Sequence, residues 1–412
     1  MKVLFYLIED RLSPRGGPLG VGYYYYQEMK KRDSNLIDFL KSDVAYETVH
    51  SAGRSITKHF PDWLNRVHRN YRGAKNLKKL LENDPTKTSV PLDNYDIVFF
   101  HETKDLYKEK ENLKSYRGIV ILQSHSPLPL WQEQTTDLPD IYFKMIPDLK
   151  EKFSKIDEYA FRRADYIVFP CEDAEEPYLD SWDYYKRIHE EKKSSYRYIT
   201  TGIAPARAKR DKFEVFSELS IPADSFVVSF AGRHNTVKGY DLLKEIGNEF
   251  LAQNQKNYII VAGRLGPLKE PDYERWIEIG WTTDPHSYIA ASDVFILPNR
   301  VTYFDLVLLE VLSLGKIALV SRTGGNKFFE KAGVSGVFFY DTKEEAIDKL
   351  NEIKAMTTEE RVKLGNENKR FYEKHLTVAA MFDQFVELTK EIDETMKEQN
   401  CRNRQIYPQS VD

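Results

Sequence analysis

Val227-Val-Ser-Phe-Ala-Gly-Arg-His-Asn-Thr-Val-Lys-Gly239 reads as a short apolar strand whose end delivers two cations, Arg233 and Lys238, to a glycine-punctuated loop. The helix-like Tyr240-Asp-Leu-Leu-Lys-Glu follows directly. Two further runs repeat the strand pattern, Tyr258 to Ala262 and Val294 to Leu297, each closed by Gly or Pro as buried parallel strands are. A fourth block, Thr302-Tyr-Phe-Asp-Leu-Val-Leu-Leu-Glu310 with Gly315 behind it, completes the series. In such open sheets ligands sit beyond the carboxyl ends of the strands. Arg233 and Lys238 therefore read as a diphosphate grip, Arg by bidentate hydrogen bonds and Lys as a point charge. The plainer reading of the two cations is a pair of solvated surface charges.

The amino-terminal half has strand ends of the same kind. Met1-Lys-Val-Leu-Phe-Tyr-Leu-Ile-Glu reads as a first buried strand, followed by a glycine loop from Arg15 to Gly22 and a helix opening at Tyr23. The spacing Gly17, Gly20, Gly22 is not the G-x-G-x-x-G of a dinucleotide site, and no G-K-[ST] of a P-loop kinase occurs. Glycine-rich backbone at a helix start still receives anionic oxygen through free N–H groups and the helix dipole. Tyr95-Asp-Ile-Val-Phe-Phe-His-Glu102 and Gly118-Ile-Val-Ile-Leu-Gln-Ser-His-Ser126 each run apolar and finish near a histidine. Such a histidine is either a satisfied structural imidazole or a group presented to a ligand.

These blocks together resemble the GT-B glycosyltransferases of retaining family 4 (group 1), which includes mannosyl-, glucosyl- and N-acetylglucosaminyltransferases. Phe230-Ala-Gly-Arg233 with Lys238-Gly239 is similar to the family's diphosphate-binding block. Asp284-Pro through Asp293-Val-Phe-Ile-Leu-Pro298 is similar to its "aaaDvfvlPS" block, and Phe161-Arg-Arg-Ala-Asp-Tyr-Ile-Val-Phe-Pro170 to its "ADxIV" strand. The resemblance implies an α/β chain of two Rossmann-like domains facing each other across a cleft, with a closing C-terminal helix. It implies a domain over 1–204, a nucleotide-sugar domain over 205–377, and a helix at about 378–400 packing back on the first. The activity it implies is transfer of a hexose or N-acetylhexosamine from a nucleotide diphosphate sugar, a UDP sugar foremost, to a glycan, glycolipid or glycoprotein hydroxyl with retention.

By the same resemblance His125, Arg233 and Lys238 carry the chemistry, with His101 and Glu102 on the acceptor side. Gly16, Gly17, Arg233, Lys238, Thr302, Asp305, Leu306 and Glu310 hold the donor, Glu310 through its ribose hydroxyls. The departure is at Thr302, where the family has a glutamate eight residues before the one at Glu310. Asp305 stands in place of a glycine and is the candidate to replace the lost charge. A catalytically silent subunit that binds a partner glycosyltransferase, a homodimer, and a sugar-nucleotide epimerase of the same fold stay open. No Asp-x-Asp metal motif occurs, so neither a metal nor another cofactor is expected.

Composition bounds the rest. The chain has 412 residues, enough for two domains, with 41% hydrophobic residues to fill two cores. A net charge of −4 argues against nucleic acid. Cys171 and Cys401, far apart and patternless, fit a reduced cytoplasmic compartment. No apolar run approaches the length of a membrane span, so membrane contact is expected to be peripheral, at the inner face. Between Arg54 and Leu80, eight Lys or Arg interleave with apolar residues near helical spacing against the single acid Asp62. That stretch packs its apolar face on the domain, docks an acceptor or partner, or lies on an anionic membrane. From Asp393 onward the polar tail is expected to fray.

Overall fold

The computed structural model describes residues 1–8, 12–13, 17–40, 62–81, 91–126, 128–135, 138–266 and 268–406. The chain forms two compact units, one of residues 1–169 with 178–197, the other of 170–177 with 198–412.

In the first unit the strands are β1 (Val3–Tyr6), β2 (Ile37–Phe39), β3 (Ile97–Phe100), β4 (Ile119–Gln123), β5 (Tyr166–Phe169) and β6 (Tyr196–Tyr198). They form one sheet in the order β2-β1-β3-β4-β5-β6. All four residues of β1 and of β3 are buried, which is why both read as unbroken apolar runs and not as alternating strands. The chain first steps outward from β1 to β2, then crosses back to place β3 on the other side of β1. That reversal makes the gap between β1 and β3 the topological switch point, where open α/β sheets take their ligands.

The second unit repeats the plan with β7 (Phe226–Ala231), β8 (Asn257–Ala262), β9 (Trp276–Gly280), β10 (Val294–Leu297), β11 (Ala318–Ser321) and β12 (Val337–Tyr340). Its order is β12-β11-β10-β7-β8-β9 with parallel pairing, β7 lying beside β10 with Val228 opposite Val294. The switch point therefore falls between β7 and β10. Tyr240, Leu243, Ile246 and Phe250 of the helix Tyr240–Gln253 pack on this sheet with Val228, Ile259 and Trp276.

An aspartate just before a strand recurs in both units, and the structure gives it one job. Asp96 Oδ2 accepts from Lys2 N at 2.6 Å, Asp165 Oδ2 from Val120 N at 2.8 Å, and Asp293 Oδ2 from Val227 N at 2.8 Å. Each carboxylate satisfies an amide at the amino end of the neighbouring strand, so the Ala-Asp and Ser-Asp signatures are strand-start caps that fix register.

Two expectations are corrected. The first helix runs Gly17–Lys31, six residues ahead of Tyr23, so Gly20 and Gly22 are helical and not loop. A Cβ at Gly22 would stand 3.0 Å from Leu12 and 3.1 Å from Phe5, so the glycine lets the helix lie close on β1. At the other end the tail does not fray at Asp393: the last helix runs Val378–Ile406. Its polar stretch is rich in helix-forming Glu, Lys and Met and carries an i,i+4 ion pair, Lys397 Nζ to Asp393 at 2.5 Å. Contacts group this helix with the second unit, where Met381, Phe382, Phe385, Leu388 and Ile392 are buried.

The basic stretch forms the helix Asp62–Leu81; residues 54–61 lie outside the described ones. Ala74 and Leu77 pack into a cluster with Tyr142, Leu149 and Phe153, while Val67 and Tyr71 are exposed. No described helix is long and apolar enough to cross a membrane.

Candidate functional site

In the second unit the loop after β7 is tied down before any ligand arrives. Asn235 Oδ1 accepts from Lys238 N at 2.9 Å, Tyr240 N donates to Asn235 O at 3.1 Å, and Arg300 N donates across the switch point to Val237 O at 3.1 Å. Gly239 caps the following helix with φ +65°, and a Cβ there would fall 1.6 Å from Pro298 O. Only glycine permits this backbone and this approach, so it brings the loops after β7 and β10 against each other.

Those two loops carry the charged groups. Lys238 Nζ forms an ion pair with Asp305 Oδ2, which also accepts from Asn299 Nδ2 at 2.7 Å. The side chain of Asp305 is 9% exposed. Burial works to raise its pKa, but the Lys238 ammonium and the Asn299 amide outweigh burial and hold it below the usual carboxylate value. Asp305 is also the N-cap of the helix Leu306–Ser313, whose partial positive end begins at Leu306. Arg233 sits exposed on the same loop as Lys238, and among the described residues its guanidinium has no ion-pair partner. This corner can hold two phosphates: Arg233 is exposed to receive one, Lys238 is shared with Asp305, and a helix N-terminus stands beside them.

Glu310 lies one turn along the same helix and is half-buried, with His286 Nε2 at 3.2 Å from its Oε2. Thr302 is buried, 3% exposed, and its carbonyl accepts from Gly325 N at 3.5 Å. Asp305 is already engaged by Lys238 and Asn299, so the charge that Thr302 lacks is not supplied as a free carboxylate.

In the first unit a cavity of about 300 Å³ opens at the carboxyl ends of β3 and β4. His101, from the end of β3, is fully buried and stacks on Phe5 with ring centroids 3.7 Å apart. Its Nδ1 is 2.9 Å from His125 Nε2, from the end of β4. Burial pushes both imidazoles down, that of His125 to about 3 and that of His101 well below its ordinary value, the latter helped by His125. At neutral pH the pair is uncharged and joined by one hydrogen bond.

Below it lies Asp157, 1% exposed, on the helix Leu149–Arg163. Its Oδ2 accepts from Leu130 N at 2.6 Å, and its Oδ1 has no partner. Burial raises its pKa to about 7, against the opposing pull of hydrogen bonds from the Thr103 side chain and the Leu130 amide. Ser124 and Tyr178 share a hydrogen bond of 2.7 Å on the same wall.

The structure thus gathers Lys238, Asp305 and Leu306 in one corner of the second unit, with Arg233 on the Lys238 loop and Glu310 one turn along the helix. Thr302 lies in the same loop after β10 but turns inward. His101, Glu102 and His125 meet in the first unit's cavity. Gly17 is the first residue of its helix and is exposed; Gly16 lies outside the described residues.

Sequence reading missed Asn299, His286, Asp157 and Thr103. Asn299 had a signal, being a polar residue directly after the proline that closes β10. His286 and Asp157 had none: each sits on a helix remote in sequence from the group it faces.

Residues 211–371 match the model of the family "Glycosyl transferases group 1". Granule-bound starch synthase 1 of Pisum sativum is 29% identical over 130 residues, 29% of this chain and 22% of that protein. D-inositol 3-phosphate glycosyltransferase 1 of Catenulispora acidiphila is 28% identical over 146 residues, 31% of this chain and 35% of that protein. The matches therefore span between about a fifth and about a third of the length of these relatives.

Among solved structures, sucrose-phosphate synthase of Thermosynechococcus elongatus superposes with a TM-score of 0.63 at 15% identity, over 95% of this chain and 99% of that one. Anabaena HepE in complex with UDP-glucose superposes at 0.57 with 16% identity, over 95% and 100%. The fold is that of the GT-B glycosyltransferases, and the match to the group 1 model lies within the second unit.

Proposed function

We propose that the protein transfers a hexose or N-acetylhexosamine from a nucleotide diphosphate sugar to an acceptor hydroxyl, with retention. The observation that carries this reading is the corner between β7 and β10, where Lys238 pairs with Asp305 at the N-terminus of the helix Leu306–Ser313 beside the switch point, with Arg233 exposed on the same loop as Lys238. In the reaction the bond between the sugar C1 and the β-phosphate oxygen breaks and a bond from the acceptor oxygen to C1 forms. The acceptor's proton leaves with the departing diphosphate.

The difficult step is separating an oxocarbenium-like centre from that diphosphate, and fixed positive groups at the leaving oxygens lower its barrier most. Arg233 and Lys238 fill that role, the latter by shifting from Asp305 toward the phosphate. Glu310 then accepts from the ribose hydroxyls, and His286 beside it keeps the carboxylate in place. These groups neutralise the leaving charge by themselves, so the reading calls for no metal.

The glycosyl transferase match over 211–371 supports a sugar donor, and the neighbour that holds UDP-glucose makes UDP sugars the first donors to try. The acceptor is a glycan, a glycolipid or a glycoprotein. The test scores UDP, GDP and ADP sugars for nucleotide release and thermal stabilisation on wild type and Lys238→Ala. One donor should stabilise the chain and be slowly hydrolysed, with release falling by about 10²- to 10³-fold in the variant. Equal release by the two proteins would overturn the role of Lys238. Failure of every donor to stabilise the wild type would favour the silent-subunit reading.

A further inference from the structure

We propose that the cavity of the first unit takes an uncharged, polyhydroxylated sugar as the acceptor and turns away phosphorylated or carboxylated ones. The name acceptor rests on the transferase reading; the ligand class rests on the cavity alone. At about 300 Å³ it stands at the small end of ligand pockets, matched to a single sugar ring more than to a long chain segment.

Its charges decide the class. Glu102, Lys104 and Glu133 line it, and Lys104 is the one cation among the described lining residues. Lys104 Nζ lies 2.5 Å from Glu102 Oε2, which neutralises it, and Glu133 adds an unmatched negative charge beside Ser126, whose hydroxyl donates to it at 2.9 Å. A phosphate or carboxylate entering here loses its hydration, and the described lining residues hold no arginine fork or second lysine to replace it. It also meets Glu133.

The buried atoms point to hydroxyls. Asp157 Oδ1 and His101 Nε2 are both without a partner, on residues 1% and 0% exposed that line the cavity. Leaving such atoms unpaired is costly, and a ligand group that both donates and accepts satisfies either, whatever the imidazole tautomer. Ser124, Ser126, Thr103 and Tyr178 add hydroxyls around them. The neutral His101–His125 pair extends a polar, uncharged wall, and Asp157, whose pKa burial raises to about 7, adds no positive charge to it; the wall suits sugar hydroxyls and offers an anion no counter-charge.

Binding to the full chain in the absence of any nucleotide tests this, so its outcome does not depend on turnover. Saturation-transfer NMR and calorimetry would compare neutral hexoses and N-acetylhexosamines with their 6-phosphates and uronic acids, on wild type and on Glu133→Gln, an exposed position whose change is tolerated by the fold. At least one neutral sugar should bind, its phosphate should bind about tenfold more weakly or worse, and Glu133→Gln should narrow that gap. Equal or tighter binding of the phosphate or the uronic acid overturns the inference, as does the failure of every neutral sugar to bind. Donor-driven nucleotide release without acceptor reports separately on the transferase reading.

Discussion

Replacing Asp157 with asparagine should remove a pH-dependent weakness from the first unit. The side chain is 1% exposed, one of its oxygens has no partner, and burial raises its pKa to about 7. In the unfolded chain an aspartic acid titrates near 3.9. Because the folded value is the higher one, the unfolded chain gives up its proton first. The stability tied to this group is therefore complete below about pH 4 and is lost as pH rises toward 7.

At about 1.4 kcal/mol per pH unit, the loss reaches about 4 kcal/mol by pH 8, and about 2–3 kcal/mol of it falls between pH 5 and pH 8. Asparagine keeps an oxygen for the Leu130 amide and has no proton to lose. Urea titrations of wild type and Asp157→Asn, run side by side at pH 5 and pH 8 and read by hydrogen exchange on first-unit peptides, isolate the effect. Between the two pH values the stability difference should move by about 2–3 kcal/mol in the variant's favour. A difference that stays flat, or that moves toward the wild type, refutes the assignment of a buried acid at this position.

Gly239→Ala should destabilise the second unit by at least about 2 kcal/mol in a denaturant titration, because it forces a positive φ on alanine and drives its Cβ into Pro298 O; a neutral result would mean the loops can separate freely. Asp305→Asn should tighten UDP severalfold in calorimetry, since it frees Lys238 from the carboxylate it pairs with; weaker binding would show that the aspartate positions Lys238 more than it competes for it. Glu310→Gln should weaken UDP about tenfold or more while leaving inorganic pyrophosphate unaffected, as a lost charge-assisted hydrogen bond to ribose would; equal loss for both ligands would place Glu310 at the phosphates instead.

The chain's local patterns settled its architecture. Strands buried on both faces are predominantly apolar, so β3, β4, β7, β8 and β10 stood out as apolar runs, and the glycine or proline after most of them marked where backbone must turn. The same logic put Arg233 and Lys238 on the loop at the carboxyl end of β7, where such sheets take ligands, whereas Glu310 was singled out by the family resemblance. The helix starting at Gly17 was harder to see: glycines there serve close packing on Phe5, and in one dimension packing glycine and loop glycine look alike.

What sequence did not carry was pairing between distant residues. That Lys238 is met by Asp305, sixty-seven positions on, depends on β7 lying beside β10, which is a fact of strand order and not of either segment. Asp157 is an ordinary helical aspartate by its neighbours in the chain; it becomes a buried acid only because its helix lays it against Leu130 and Thr103 at the floor of a cavity. Charge and hydrogen-bonding type are written residue by residue, whereas desolvation and the identity of the nearest opposite charge exist only once the sheet has brought the ends of its strands together.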